Sequence, residues 1–200
     1  VRPGWQNSGD VRRSWGNNQK IFNLDHIDII KQIDHVAGVS PLVSTSSQII
    51  YNANNTNATI NGVLPIYEKV NNAMVVSGTF ITEQANNNRD KVVVLGPTVV
   101  TNLFGNIDPI GKTIRIGKTL FTVIWVLKEK WTSIGSTDNA VFVPLSTAQI
   151  SLLGSNSIST ISVMVDSEEN MEITKTAITD RLLSVFKITD PEKATFTVSS

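Results

Sequence analysis

The first clear pattern in the chain is a stripe of apolar residues at helical spacing. Asn23 is a suitable N-cap ahead of it, and Asp25 and Asp28 place negative charge in the first turn, where the helix dipole favours it. Gly38 and Pro41 predict the end of the helix. The stripe that predicts this helix consists of Leu24, Ile27, Ile30, Ile33 and Val36.

The middle of the chain has the patterns of strands. Residues 42–50 and 56–64 are separated by the Asn-rich stretch 52–55, which predicts a hairpin. Residues 91–95 are a compact β-branched run, and they predict a buried strand. Alternating apolar and polar positions over 113–127 predict a second hairpin with one buried face.

Shorter elements separate these strands. Pro97 suits the first position of a helix, and Gly105 is a suitable end for it. The polar run 83–90 predicts a loop, residues 140–143 predict a strand, and residues 146–153 predict a short helix.

The end of the chain repeats the order strand, helix, strand. Residues 158–165 predict a strand, and Asp166 with Glu169 predicts a capping box for the next helix. Residues 194–198 predict a last strand after Pro191. The apolar face of the helix consists of Met171, Ile178, Leu182 and Val185.

These elements predict an α+β fold in two parts. One is a discontinuous subdomain, residues 1–64 and 155–200, built from the two terminal β-α-β units. The other is an inserted, mostly β subdomain over residues 65–154.

Composition excludes several classes of function. The 200 residues carry 17 Lys+Arg and 17 Asp+Glu, so the basic excess that nucleic-acid binding needs is missing. Cysteine is absent, which excludes disulfides, thiolate zinc sites and cysteine nucleophiles. The sequence has no apolar run of the roughly 20 residues that span a bilayer. Because the first residue is Val1 rather than Met, we expect the chain to be part of a longer protein.

Catalytic patterns are missing from the sequence as well. His26 and His35 are nine positions apart on the predicted helix, so at about 100° per residue they point to opposite sides and cannot share a metal. The G-x-S-x-G and phosphate-loop motifs are absent, and residues 111–113 (GKT) predict a turn. Helix capping explains the carboxylate pairs Asp25 with Asp28 and Glu168 with Glu169. We therefore predict no catalytic residue, metal or cofactor.

Two tryptophans flank a polar segment near the middle of the chain. The pattern places Trp125 on a strand, in the core or on a strand face. Trp131 falls in a polar loop, and aromatic side chains there often anchor interfaces. Trp131 is therefore the candidate contact to a partner protein.

A series of short motifs resembles MacB-type ABC transporter permeases. They occur in the order of that family and cover about residues 20–190. Tyr67 matches as well, whereas Trp125 and Trp131 stand where the family usually has smaller residues. The motifs are VSPLVSTSS at 39–47, INGV at 60–63, SGTF at 77–80, KVVVLG at 91–96, LFG at 103–105, DPIGKT at 108–113 and VPLST at 143–147.

The resemblance implies a fold and a function. The chain is similar to the extracytoplasmic domain between the first two transmembrane helices of such a permease, with a porter-like subdomain and an inserted sabre-like subdomain. The implied partners are a MacA-like adaptor protein, an ATP-binding subunit or domain, and a second permease copy. The implied role is to relay ATP-driven motion during export, without covalent chemistry in this domain.

Two alternatives remain from the residues alone. A secreted or surface β-rich binding module suits the low charge and the Asn-rich loops. A hydrolase using carboxylate pairs such as those containing Asp25 or Glu169 is the third hypothesis.

Overall fold

The chain divides into two compact units in a computed structural model, which describes residues 2–3, 22–71, 80–127, 137–190, 194 and 196–199. Unit 1 is Val1–Pro41 with Ser157–Ser200, and unit 2 is Leu42–Asn156. The strands are β1 (Arg2–Pro3), β2 (Val36–Tyr51), β3 (Asn54–Val63), β4 (Val92–Leu95), β5 (Thr113–Ile116), β6 (Thr119–Val126), β7 (Ala140–Pro144), β8 (Thr160–Val165) and β9 (Phe196–Thr197). The helices are α1 (Leu24–Lys31), α2 (Tyr67–Val70), α3 (Glu83–Asn88), α4 (Pro97–Phe104), α5 (Leu145–Thr147) and α6 (Met171–Val185). Short 3-10 helices cover Thr137–Asn139 and Glu168–Asn170, and a π-helical segment covers Ala148–Leu153.

Six strands of unit 2 close into a ring. Their order is β3, β7, β4, β6, β5 and β2, and β2 also pairs with β3. The β2–β3 hairpin is antiparallel from Leu42 opposite Val63 to Tyr51 opposite Asn54. The β3–β7 and β4–β6 pairs are parallel. A closed ring of strands lets every strand contribute side chains to one shared interior.

Alternate residues of all six strands meet in one apolar core. The helix α4 adds Val99, Leu103 and Phe104 to this core, and Pro97 at its start and Gly105 at its end match the sequence prediction. The strand residues of the core are Val43, Ile49, Ala58, Ile60, Val93, Leu95, Ile114, Ile116, Phe121, Val123, Val141 and Val143.

A second core covers the other face of β4 and β7. Val94 and Phe142, which alternate with residues of the first core, pack there with Tyr67 of α2 and with Phe80. All five residues of β7 are consequently buried. Burial on both faces explains why the sequence of β7, AVFVP, is continuously apolar.

Close packing makes Gly62 necessary within β3. A Cβ atom at this position would meet the Cβ of Ala148 and the Cγ2 of Val43 inside van der Waals contact. The glycine therefore lets β3 lie directly against the π-helical segment.

Unit 1 packs α1 and α6 over a separate core. Ile27 and Ile30 of α1 meet Ile178 and Leu182 of α6 in this cluster. Phe22 is fully buried among them, and its ring contacts those of Phe186 and Phe196. The remaining buried members are Val39, Ile158, Ile161 and Leu183.

The α+β fold is confirmed, whereas the predicted subdomain boundary requires a correction. The sequence predicts residues 42–64 in the discontinuous terminal part, but the hairpin of β2 and β3 belongs to unit 2. The reason is that β2 pairs with β5 and β3 pairs with β7, and both of these partners lie in the insertion. The other boundary lies between Asn156 and Ser157 instead of 154 and 155.

Three local predictions were wrong. The helix α1 ends at Lys31, before the predicted end at Gly38 and Pro41. The strand β2 begins at Val36, so both of these residues lie in the strand. The polar run 83–90 contains α3, because Thr82 caps it by accepting from the Ala85 amide over 3.0 Å. Asp166 does not cap the last helix, which follows a 3-10 turn.

Candidate functional site

A groove in unit 1 lies between the α1–β2 connection and the helix α6. Its volume is about 430 Å³. Ile33 and Ala177 supply apolar surface, and Ile173 is 62% exposed at this groove. The remaining lining residues are Gln32, Asp34, His35, Thr174 and Arg181. We call this cavity the α1–α6 groove.

Two opposite charges in the α1–α6 groove have no partner among the residues that the structure describes. Across the described part of the chain, the Asp34 carboxylate and the Arg181 guanidinium make no hydrogen bond or ion pair. Both residues are exposed. Within the described ranges, the groove therefore offers an unpaired anion and an unpaired cation beside apolar surface.

A polar cluster fixes one end of this groove. His35 adopts a left-handed backbone with φ of 67°, and its Nδ1 lies 2.9 Å from Oδ2 of Asp166. Asn170 donates from Nδ2 to Oδ1 of Asp166 over 2.9 Å. These hydrogen bonds from Asn170 and His35 hold the pKa of the Asp166 carboxyl below its usual value. The cluster joins the end of β8 to the start of β2.

The other histidine closes the first turn of α1. Asn23 accepts from the His26 amide, and Nδ1 of His26 accepts from the Asn23 amide over 3.1 Å. Burial lowers the pKa of His26, although Asp25 opposes the shift. The His26 ring packs against Phe186 with centroids 4.8 Å apart. His26 is thus a capping residue, and His35 lies beyond the helix.

The carboxylate pairs predicted to serve helix ends have local partners or positions that explain them. Asp25 accepts from the side chain of Asn23 over 3.0 Å, and Asp28 pairs with Lys31 over 3.1 Å. Glu168 and Glu169 open the 3-10 turn before α6. Within the ranges that the structure describes, no three Asp, Glu or His side chains group as metal ligands do.

The phosphate-loop-like residues form a turn, as predicted. The Gly111 amide donates to the Val123 carbonyl over 2.8 Å, and the Lys112 amide donates to the Pro109 carbonyl over 3.0 Å. Amides engaged in this way cannot cradle a phosphate group.

The predicted partner contact Trp131 lies outside the described residues and stays a prediction. Trp125 is on β6, half-buried against the second core of unit 2. A bulge in the β4–β6 pairing places Val93 opposite Val123 but Val94 opposite Trp125. Sequence reasoning missed the groove residues Asp34 and Arg181, because only the packing of α1 beside α6 brings them to one surface.

The two ends of the chain pair with each other. Arg2 lies opposite Thr197 and Pro3 opposite Phe196 in the antiparallel β1–β9 ladder of unit 1. Arg2 at the start of β1 and Thr197 at the end of β9 therefore lie at the same end of this ladder. No helix in the described part of the chain is long and apolar enough to cross a membrane.

The model of the MacB-like periplasmic core domain matches residues 1–181. The chain belongs to this family. This membership confirms the resemblance that the series of motifs indicates.

Curated relatives of this MacB-like domain are much longer proteins. The macrolide export ATP-binding/permease protein MacB of Bdellovibrio bacteriovorus is 36% identical over 167 residues, which cover 82% of this chain and 26% of that protein. The protein of the same name from Chlorobaculum tepidum is 32% identical, covering 99% of this chain and 31% of its own length. The chain thus spans about a quarter to a third of these relatives.

Solved structures share the fold. The extracellular domain of the ABC-type transporter YknZ from Gram-positive bacteria has a TM-score of 0.78 at 24% identity, covering 92% of this chain and 91% of that one. The periplasmic region of MacB from Actinobacillus actinomycetemcomitans has a TM-score of 0.74 at 22% identity, covering 86% of this chain and 78% of that one.

Proposed function

We propose that this MacB-like domain is the extracytoplasmic part of an ABC transporter permease, held at the membrane by helices on both sides of it. In this role it contacts a MacA-like adaptor protein and relays ATP-driven motion to it during export. The domain does no covalent chemistry. Its further partners are an ATP-binding subunit or domain and a second copy of the permease.

Family membership is the observation that carries this proposal, and the pairing of the chain ends supports it. Because β1 and β9 are antiparallel neighbours, segments joined to Arg2 and Thr197 would continue side by side. Two membrane helices attached there would reach the same membrane surface. A movement of these helices would then act on unit 1, to which both strands belong.

The length of the relatives supports a separate site for ATP hydrolysis. These relatives are named ATP-binding/permease proteins, and this chain covers 26% of the Bdellovibrio bacteriovorus protein and 31% of the Chlorobaculum tepidum protein. The sequence here lacks a phosphate-loop motif, and its nearest imitation is a turn with engaged amides. We therefore assign ATP hydrolysis to a part of the transporter outside these 200 residues.

Labelling from outside the cell tests the location. Lys118 is exposed in the β5–β6 turn, and the chain has no cysteine of its own. In a full-length permease otherwise free of cysteine, Lys118→Cys should react with a membrane-impermeant maleimide in cells whose outer barrier has been opened. The buried Val141→Cys is the matched control and should react only after unfolding.

Three results of this experiment are distinguishable. Reaction of Lys118→Cys before the cytoplasmic membrane is broken supports an extracytoplasmic domain. Reaction only after that membrane is broken contradicts the proposal. Recovery of the labelled protein from the medium, free of membrane, favours the secreted binding module instead.

A test of the relay uses the adaptor protein encoded with the permease. The purified full-length permease should hydrolyse ATP faster when the adaptor is added. A permease in which a flexible linker replaces residues 22–190 should keep its basal hydrolysis and lose this response. A response that survives the replacement would contradict a role of this domain in the relay.

A further inference from the structure

The α1–α6 groove has the features of a contact surface between two copies of this chain. We propose that the extracytoplasmic domains of two permease copies meet through this groove in a two-fold arrangement. The inference rests on the proposed function and names the surface by which its two copies touch. The free charges, the exposed isoleucine and the direction of α6 carry it.

The free charges lie at different positions along the groove. His35 lies 3.0 Å from Asn170, which directly precedes α6, so the neighbouring Asp34 is placed near the start of this helix. Arg181 is ten positions after Met171, which corresponds to about 15 Å along a helix. Negative charge is thus toward one end of the groove and positive charge is toward the other.

A two-fold axis pairs such charges twice. In an isologous contact, residue i of one copy meets residue j of its partner, and the reverse also holds. When two α6 helices lie antiparallel across the axis, Asp34 of each copy faces Arg181 of the other. A single pair of unpartnered opposite charges therefore becomes two ion pairs without any further residue.

Apolar surface lies between the charges. Ile173 is 62% exposed, and it lies one turn before Ala177 on the same face of α6. The α1–α6 groove of a second copy offers Ile33 and Ala177 to cover this side chain. Pairing Asp34 with Arg181 places the axis about midway between the start of α6 and Arg181, so Ile173 lies within one turn of the axis and faces the Ala177 end of the partner's groove.

Cysteine cross-linking at Ile173 tests the contact in the full-length permease. Ile173→Cys in a cysteine-free background should form a disulfide-linked dimer under mild oxidation in membranes. Ile150→Cys is the matched control, because Ile150 is a similarly exposed isoleucine, 53% against 62%, but belongs to unit 2. We expect the linked fraction at position 173 to exceed that at position 150 at least about fivefold.

Charge reversal separates the proposed geometry from chance collision. Asp34→Arg and Arg181→Asp should each lower cross-linking of Ile173→Cys about fivefold, because like charges then face each other twice. The double exchange Asp34→Arg with Arg181→Asp should restore it to within about twofold. Asp180→Arg and Lys91→Asp change the net charge equally outside the groove, and they should leave cross-linking unchanged.

The outcomes distinguish this inference from the proposed function. If Lys118→Cys labels from outside and the detergent-solubilised permease is a dimer, but Ile173→Cys does not cross-link, the groove contact is wrong and the proposed function stands. A disulfide-linked dimer that is insensitive to both reversals also contradicts the charge pairing. Preferential linkage of Ile173→Cys to an engineered cysteine on the adaptor would assign the groove to that partner and overturn the inference. If Lys118→Cys is shielded by the cytoplasmic membrane, the proposed function itself fails.

Discussion

His35 and Asp166 are separated by 131 positions in the sequence and are joined by two hydrogen bonds. The His35 Nδ1 lies 2.9 Å from the carboxylate, and the Asp166 amide donates to the His35 carbonyl over 3.0 Å. The pair ties the residue before β2 to the residue after β8. It thereby connects the N-terminal and C-terminal halves of unit 1 at one end of the α1–α6 groove.

Asp166→Asn should make the stability of the domain less sensitive to acid. The pKa of Asp166 is lowered on folding, so its ionised form stabilises the domain at pH values above about 4, the usual value for a carboxyl group. This contribution is lost as the pH falls through the lowered pKa. In urea unfolding, the difference between wild type and variant should therefore shrink from about pH 7 to about pH 3.

Asp180→Asn is the matched control for this titration. Asp180 is an exposed carboxylate on α6 without a partner in the described residues, so its replacement removes no hydrogen bond and should change the free energy of unfolding only slightly. An Asp166→Asn difference that stays constant across the same range would show that the hydrogen bonds to Asn170 and His35 do not favour the ionised form.

The contact between His35 and Asp166 shows where sequence reasoning stops. The spacing of Ile33 and Val36 extends the helical stripe, yet the chain turns at His35 and enters β2 at Val36. The reason is the pairing of β2 with β8, which is remote in sequence and cannot be read from local periodicity. Asp166 likewise looked like a helix cap, but its partners are set by this tertiary turn.

Elements with strong local signals were predictable. The β5–β6 hairpin is fixed by alternation and by the turn at Gly117, whose φ is 57°. The helix α4 is fixed by Pro97 and Gly105. By contrast, α3 buries Ala85 alone and has no apolar face, so only its cap at Thr82 indicates a helix. The α1–α6 groove depends on packing between distant elements and has no local signal.

His26→Gln should make the stability of the domain less sensitive to mild acid than that of the wild type. Burial lowers the pKa of His26, so folding favours the neutral ring whose Nδ1 accepts from the Asn23 amide. The stabilising contribution of the neutral His26 ring is therefore fully present above about pH 6.5, the usual pKa of histidine. It is lost as the pH falls from there toward the lowered pKa. Glutamine preserves a capping-box acceptor that does not titrate.

Thermal unfolding between about pH 8 and about pH 5 checks this expectation. The melting temperature of wild type should fall more than that of His26→Gln. A His35→Gln variant serves as the comparison, because His35 is not part of the capping box. Equal pH dependence of wild type and His26→Gln would show that the acid sensitivity arises elsewhere.

Gly62→Ala should destabilise unit 2 by about 3 kcal/mol. The added methyl group would overlap the Cβ of Ala148 and the Cγ2 of Val43, and β3 is held by β2 and β7 on both sides. The free energy of unfolding from urea titration measures the loss. Ala148→Gly in the same chain should recover part of it, whereas two independent, additive losses would exclude the overlap.

Trp131→Ala should weaken binding of the adaptor protein by about 2 kcal/mol if this side chain is the predicted anchor. Its effect on the free energy of unfolding should be small, because the sequence predicts a loop there and surface substitutions usually change stability little. Trp125→Ala is the matched control. Because Trp125 packs against a core, its loss should lower the free energy of unfolding more than it lowers the affinity for the adaptor. Adaptor affinity measured on the full-length permease separates the two, and unchanged affinity for Trp131→Ala would remove this residue from the interface.

Arg2→Cys with Thr197→Cys should form a disulfide that joins the two chain ends. The residues are direct neighbours in the β1–β9 ladder, and Cα atoms of such pairs are about 4.5–5.5 Å apart, within the reach of a disulfide. The cross-link should raise the free energy of unfolding by about 3 kcal/mol under oxidising conditions. Arg2→Cys with Ser199→Cys is out of register and should oxidise more slowly.

In the full-length permease, the in-register disulfide should leave adaptor-stimulated ATP hydrolysis intact, because the proposed relay moves the paired ends together. Loss of that stimulation on oxidation, with recovery on reduction, would mean that the chain ends must separate during the cycle. It would contradict a relay that acts through the intact β1–β9 ladder.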